Sequence, residues 1–297
     1  MPKKNKPYYP DQGSYISNTA QFSLLPADLA PERAKLLFIH AHPDDESTST
    51  GATMAEYASR GAQVDLLTLT RGERGEVIPD IFAHLAAGHR DCFDRGHGLG
   101  QLRELELAEA LEHLGVSHHL YLGQGVSAVP GAPAQYRDSG MVWDKQGRAQ
   151  AHPDKDPDSL LAQDIERQAA GIAAFIKYLG SDVVVTYDHG GGYGHPDHVR
   201  TYEATLLAVQ TCAQTSWEPR LVWGLEGESS SSDSRPQAVI DGPLTLKRDA
   251  MSAHVSQIMI TGEDTFHYSN GVSQKISARE TYRLLWAAEE KVQDRAA

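Results

Sequence analysis

"KLLFIHAHPDDEST" (residues 35–48) opens on an apolar run and closes on two imidazoles, two adjacent aspartates and a glutamate. The run reads as a buried strand, and buried strands do not ordinarily end in a knot of acids and histidines. The segments downstream of it decide the fold. A helical stretch at 48–60 precedes a second apolar strand, "QVDLLTL" (63–69), then a helix at 102–116 ending near Gly115 and a strand at 118–123. A long amphipathic helix at 159–180 leads to the strand "DVVVTYD" (182–188). A helix at 197–213 leads to "RLVWGLE" (220–226). Strands alternating with helices predict right-handed crossovers and a Rossmann-like, doubly wound α/β fold. Its sheet is mainly parallel, with helices on both faces.

The rhythm lapses in two long loops, 71–101 and 124–157, of a length that compact domains reserve for function or leave disordered. Beyond 227 it changes. A "SSSSDS" turn, a short strand near 237–240, a helix at 244–258 and a last helix near 277–291 form a C-terminal elaboration. Residues 1–33, rich in Pro, Tyr, Ser and Gln, read as an N-terminal extension, and 34–297 as a single domain.

A net charge of −13 argues against nucleic acid or an anionic membrane as partner and favours a small neutral or cationic substrate. Two cysteines, Cys92 and Cys212, form neither a disulfide framework nor a zinc finger and suit a reducing cytoplasm. The lysines near the start are followed by no apolar h-region, and no apolar run is long enough to span a bilayer.

His42 and Asp45 lie three apart around Pro43. On a strand they would face opposite ways, but at a turn entering a helix they can converge. Proline suits a first helical position, where its missing N–H costs nothing. An imidazole and a carboxylate are two of the three protein ligands that a catalytic Zn²⁺ uses while keeping a position open for water. The plainer reading makes these acids helix caps, favoured by the dipole. It accounts for one aspartate and leaves the second, and both histidines, without a reason. The fourth strand ends alike: "VVVTYDHGGGYGHPDH" (183–198) repeats the His-Pro-Asp turn. In a sheet of order 3-2-1-4-5 the first and fourth strands are neighbours at the switch point, where ligands bind beyond the carboxyl ends. Both motifs then face one crevice, and a metal there explains the cluster.

With "AHPDDE" and "GGYGHPDH" in place, the sequence resembles the LmbE/PIG-L-like family of zinc-dependent N-acetylglucosamine deacetylases. "TRGERGEVI" (70–78), "RDSGM" (137–141) and "AHVSQ" (253–257) extend the likeness. It is greatest to the branch that removes acetate from N-acetylglucosaminyl-inositol in mycothiol biosynthesis. The resemblance implies His42, Asp45 and His198 as metal ligands, with Zn²⁺ bound, and Asp44 as general base. It implies Tyr193 and His195 at the oxyanion and leaving amine, with Asp197 behind His195. Glu73, Arg103, Asp138 and Met141 would line the sugar site. The alternatives within the family are an N-acetylglucosaminyl-malate deacetylase of bacillithiol synthesis and an amidase of mycothiol S-conjugates. His₂Asp ligation also suits Fe²⁺.

Other residues read more plainly. His40 is a packed strand histidine, and Glu46 a helix-start acid bonded locally. Arg71 and Arg74 belong to a solvated loop or to the sugar site, and Tyr136 is a stacking platform or surface. A second "AHPD" (151–154), with no strand before it, reads as coincidence in a solvated loop. A dinucleotide-binding oxidoreductase would need G-x-G-x-x-G after the first strand, where this chain has no glycine before Gly51. A non-catalytic binding protein would not need Asp44 beside the ligands.

Overall fold

The computed structural model describes residues 22–78, 80–154, 156–215, 217–226 and 235–288. Along the chain run β1 (Lys35–His40), α1 (Asp45–Ser59), β2 (Gln63–Thr68), α2 (His97–Leu114), β3 (His118–Tyr121), β4 (Met141–Trp143) and β5 (Ala149–Ala151). Then come α3 (Ile165–Leu179), β6 (Val183–Tyr187), a single turn α4 (Gly191–Gly194), α5 (Pro196–Ala213) and β7 (Leu221–Leu225). The chain goes on through β8 (Gln237–Asp241), α6 (Leu244–Ala253), β9 (Met259–Ile260), β10 (Thr265–His267), β11 (Gln274–Lys275) and β12 (Arg279–Ala287).

The main sheet has the order β3-β2-β1-β6-β7-β12-β8. Its first five strands are parallel, which is the order expected for a doubly wound sheet, and β12 and β8 join antiparallel. The apolar run of β1 is explained by its two buried faces. Leu36 and Phe38 enter one core with Met54, Leu107 and Ala250 of α1, α2 and α6. Leu37 and Ile39, alternating with them, enter the other with Ile172, Phe175 and Ala204 of α3 and α5. Each strand is thereby fixed in register, because a slip of one residue would exchange its faces.

Three expectations change. The segment read as a last helix near 277–291 is the strand β12, and residues 289–291 lie outside those described. Tyr282, Leu285 and Trp286 fall at helical spacing, yet two sheet edges are open to this segment, and β12 pairs with both β7 and β8. Tertiary pairing overrides an ambiguous period. The helix expected over 244–258 stops at Ala253. The loop 124–157 folds a hairpin, β4–β5. The "SSSSDS" turn and residues 1–21 lie outside the described residues. Within the stretch read as an extension, Leu24 is fully buried, its N–H donating to Tyr57 Oη at 2.7 Å and its carbonyl accepting from Trp223 Nε1 at 2.9 Å. Among the described residues no helix is long and apolar enough to cross a membrane.

Candidate metal centre and cleft

β1 and β6 are adjacent, and the turns leaving their carboxyl ends meet. Tyr187, the last residue of β6, ties them together: its hydroxyl accepts from Ala41 N–H at 2.9 Å and donates to Asp45 Oδ2 at 2.7 Å. His42 N–H donates to the same oxygen at 3.0 Å. Asp45 is thus aimed inward, with Oδ1 3.3 Å from His198 Nε2 and Oδ2 3.3 Å from His42 Nδ1.

Asp44 is aimed elsewhere. Its φ of 99° lies in the left-handed region, which turns two consecutive carboxylates apart. Its Oδ1 lies 3.2 Å from Arg103 Nη2, and the carboxylate lines a cleft of about 640 Å³. Asp44 occupies the N-cap of α1 but its side chain makes no cap hydrogen bond, so the capping reading of this motif fails. Pro43 accordingly lies before the helix rather than at its first position.

The second turn is capped differently. His195 is the N-cap of α5, with Pro196 next to it, and its Nδ1 accepts from Asp197 N–H at 3.1 Å. The proton of a neutral His195 therefore sits on Nε2. His198 Nδ1 donates to Gly191 O at 3.3 Å, leaving its Nε2 lone pair toward Asp45. Gly191 has φ +61°, and a Cβ there would lie 2.8 Å from Val199 N and 2.9 Å from His198 Cβ. Only glycine lets that carbonyl reach the ring.

The carboxylate of Asp197 does not back His195. It accepts from Ser139 N–H at 2.9 Å and meets His42 Nε2 at 3.3 Å. Asp138 Oδ1 is 3.7 Å from the same nitrogen. Among the described residues, two groups each hold their donor atoms within 4.8 Å of one another, His42–His195–His198 and His42–Asp138–Asp197, all buried. Neither is the set expected from sequence; Asp45 instead bridges two of the imidazoles. A lone pair of His198 facing a carboxylate requires a proton or a cation between them, so the donor set fits a metal ion.

Electrostatics divides the acids by role. Burial would raise Asp45, but His198 and His42 hold it well below the ordinary carboxylate value. Burial raises Asp44 to about 6, Arg103 opposing and Asp45 adding to the rise. Burial would depress His42, but the carboxylates of Asp138, Asp197 and Asp45 hold it well above the usual imidazole value. Burial and the neighbouring His198 and His42 drive His195 well below it, so His195 is neutral in the metal-free chain.

Of the expected sugar-site residues, Arg103, Asp138 and Met141 line the cleft. Arg103 is already engaged, bonding Pro43 O and donating to Gly72 O at 2.8 Å. Glu73 is buried behind the wall, accepting from Gln135 Nε2 at 2.9 Å and Asp138 N–H at 3.0 Å, and so shapes the loop. Tyr193 stands half exposed at the mouth, its ring 5.9 Å from that of Trp143.

Several plain readings shift. His40 is the packed histidine expected, bonded to Thr50 Oγ1 at 2.8 Å. Glu46 is bonded locally as expected, accepting from Asp44 N–H at 2.9 Å and from Ser47 Oγ, and it also reaches beyond its own turn to His254 at 2.7 Å. Arg71 lies over the Tyr121 ring and pairs with Glu104, away from the cleft, and Tyr136 is core. The second "AHPD" takes no part in the metal donor groups, and its Asp154 is exposed; His152 Nδ1 and Asp154 Oδ2 bond Arg74 instead, at 3.0 and 3.3 Å. Sequence reasoning also gave no role to Tyr187 or to the lobe β9–β11, whose Phe266, Tyr268 and Gln274 line the cleft. "AHVSQ" was the signal for His254 and Gln257; strands of two or three residues give none.

Imidazoles and carboxylates gathered at the switch point of a doubly wound sheet, with one carboxylate left to titrate in a cleft, define a metal-dependent hydrolase. Residues 37–209 match the PIG-L family, described as GlcNAc-PI de-N-acetylase, and the chain belongs to that family. It is 40% identical to the 1D-myo-inositol 2-acetamido-2-deoxy-alpha-D-glucopyranoside deacetylase of Kineococcus radiotolerans, over 88% of this chain and 81% of that one. It is 37% identical to the protein of the same name from Kribbella flavida, over 86% and 92%. Among solved structures, a teicoplanin deacetylase in complex with teicoplanin shares the fold with a TM-score of 0.53. The two are 21% identical, over 84% of this chain and 97% of that one. The N,N'-diacetylchitobiose deacetylase of Pyrococcus horikoshii shares it with a TM-score of 0.51 at 19% identity, over 74% and 69%.

Proposed function

We propose that the protein removes the acetyl group from N-acetylglucosaminyl-inositol, releasing acetate and the free amine, with His42, Asp45 and His198 holding one Zn²⁺. The observation that carries the mechanism is the divergence of Asp44 from Asp45: both line the cleft, but Asp45 meets the imidazoles of His198 and His42 while Asp44 meets Arg103. His195 is left out of the ligand set because its Nδ1 is taken by Asp197 N–H. A divalent ion held by these residues would supply Lewis acidity toward the acetyl carbonyl and the attacking water; Fe²⁺ would suit the same ligands. Asp44, with a pKa of about 6, is ionised at neutral pH and takes the proton of that water. The neutral His195 donates Nε2–H to the developing oxyanion, beside Tyr193 at the mouth. The proton held on Asp44 then passes to the departing amine.

The outer cleft bears on the aglycone. Among the described residues, three of the cleft's Lys and Arg side chains are committed, Arg74 to Asp154, Arg103 to Asp44 and Lys247 to Glu280, while Lys275 is exposed and only loosely paired with Asp264. Ser269, Asn270, Gln274 and Ser277 line the same wall. That surface suits a neutral polyol better than the dicarboxylate of a malate conjugate, whose desolvated charges would need free partners. Two free thiols, Cys92 and Cys212, accord with a reducing cytoplasm. The test is amine release from a panel of N-acetylglucosaminyl-inositol, N-acetylglucosaminyl-malate, free N-acetylglucosamine and a thiol conjugate. The inositol conjugate should give the highest kcat/KM. Preference for the malate or the thiol conjugate would overturn the assignment.

A further inference from the structure

Glu46 and His254 are both fully buried and lie 208 residues apart, yet Glu46 Oε1 meets His254 Nε2 at 2.7 Å. The other oxygen of Glu46 accepts the Asp44 N–H at 2.9 Å. Neither side chain lines the cleft among the described residues. A buried ion pair is weak evidence of a stability role, since desolvation offsets most of its attraction. Its placement is more telling. The peptide it holds is that of the one aspartate with φ 99°, a conformation that costs an L-residue on the order of 1–3 kcal/mol and persists only when its surroundings enforce it.

Resting on the assignment of Asp44 as the base, we propose that the Glu46–His254 pair is a positioning device for Asp44. The pair fixes the acceptor that pins the Asp44 N–H. The Asp44 carbonyl is pinned in turn by Thr48 N–H and Thr48 Oγ1, each at 2.9 Å. With both ends of the residue held, its carboxylate is turned away from Asp45 and into the cleft. His254 caps the C-terminus of α6 and reaches this turn from the C-terminal elaboration. His254 therefore acts on the base without itself lining the cleft. A carboxylate displaced by about 1 Å from the attacking water is expected to cost up to about 10²-fold in rate.

The test is a double-mutant cycle on the metal-loaded enzyme, read as kcat, KM and metal content. His254→Leu should lower kcat by about 10- to 100-fold with KM and metal content unchanged. His254→Gln, whose amide can still donate to Glu46, should recover most of that loss. In the Asp44→Asn background His254→Leu should have no further effect, because the group it positions is gone. Should His254→Leu fail to fold, Glu46→Gln carries the same cycle: a loss in kcat alone, absent in Asp44→Asn. Equal fold losses in both backgrounds, loss of metal, or an unchanged kcat in these variants would overturn the proposal. Full turnover in Asp44→Asn itself would instead overturn the assignment of the base, so the two failures are distinct.

Discussion

At the scale of single residues, the proposed mechanism gives two neighbouring aspartates different work. Asp45 is held by Tyr187 Oη and His42 N–H and faces two imidazoles. Asp45→Ala should therefore weaken metal binding at least tenfold, measured by competition with a chromophoric chelator, and the activity lost should return in part with excess metal. Wild-type metal affinity in this variant would remove Asp45 from the ligand set. The sequence made both acids legible as candidates, since the His-Pro-Asp turn occurs at two strand ends. What it could not supply was the direction of each carboxylate. That depends on a φ of 99° at Asp44, which no residue type announces and which is imposed by Arg103, Glu46 and Thr48. The orientation of Asp197 was hidden for a similar reason. Its partner Ser139 lies on a loop 58 residues away, and adjacency to His195 suggested a bond that the backbone N–H makes instead.

At the scale of elements, the parallel strands and the helices crossing between them were readable because β1, β2, β6 and β7 carry apolar runs and α3 a clear 3.6-residue period. β12 was not, because its apolar residues fit either period and only the open edges of β7 and β8 decide between them. Its misreading concealed a contact of consequence. Glu280 of β12 accepts from Ala52 N–H and Thr53 N–H of α1, at 3.0 and 2.9 Å, and from Lys247 Nζ at 2.7 Å. This ties together the helix that begins at the metal centre, the last strand and α6. Glu280→Ala leaves Lys247 buried without its partner and should cost about 3–5 kcal/mol. Urea unfolding should show this as a lower midpoint at constant slope. A change of less than about 1 kcal/mol would show the pair to be dispensable.

At the scale of the whole molecule, the cleft is assembled from regions far apart in the chain. The turns after β1 and β6 supply the candidate metal donors, and the loop after β2 and the hairpin β4–β5 make one wall. The lobe β9–β11 makes the other. The switch-point rule located the first of these once the order 3-2-1-4-5 was assumed for the class, and the structure has that order. It was silent on the rest, since long loops and short strands declare neither partner nor position. The account as a whole stands on a carboxylate that faces the cleft and is not a ligand. The most direct test is acetate release by Asp44→Asn at saturating metal, with metal content measured on the same sample. The variant should hold as much metal as the wild type while turning over about 10²–10⁴-fold more slowly. Near wild-type turnover at full metal occupancy would contradict the mechanism.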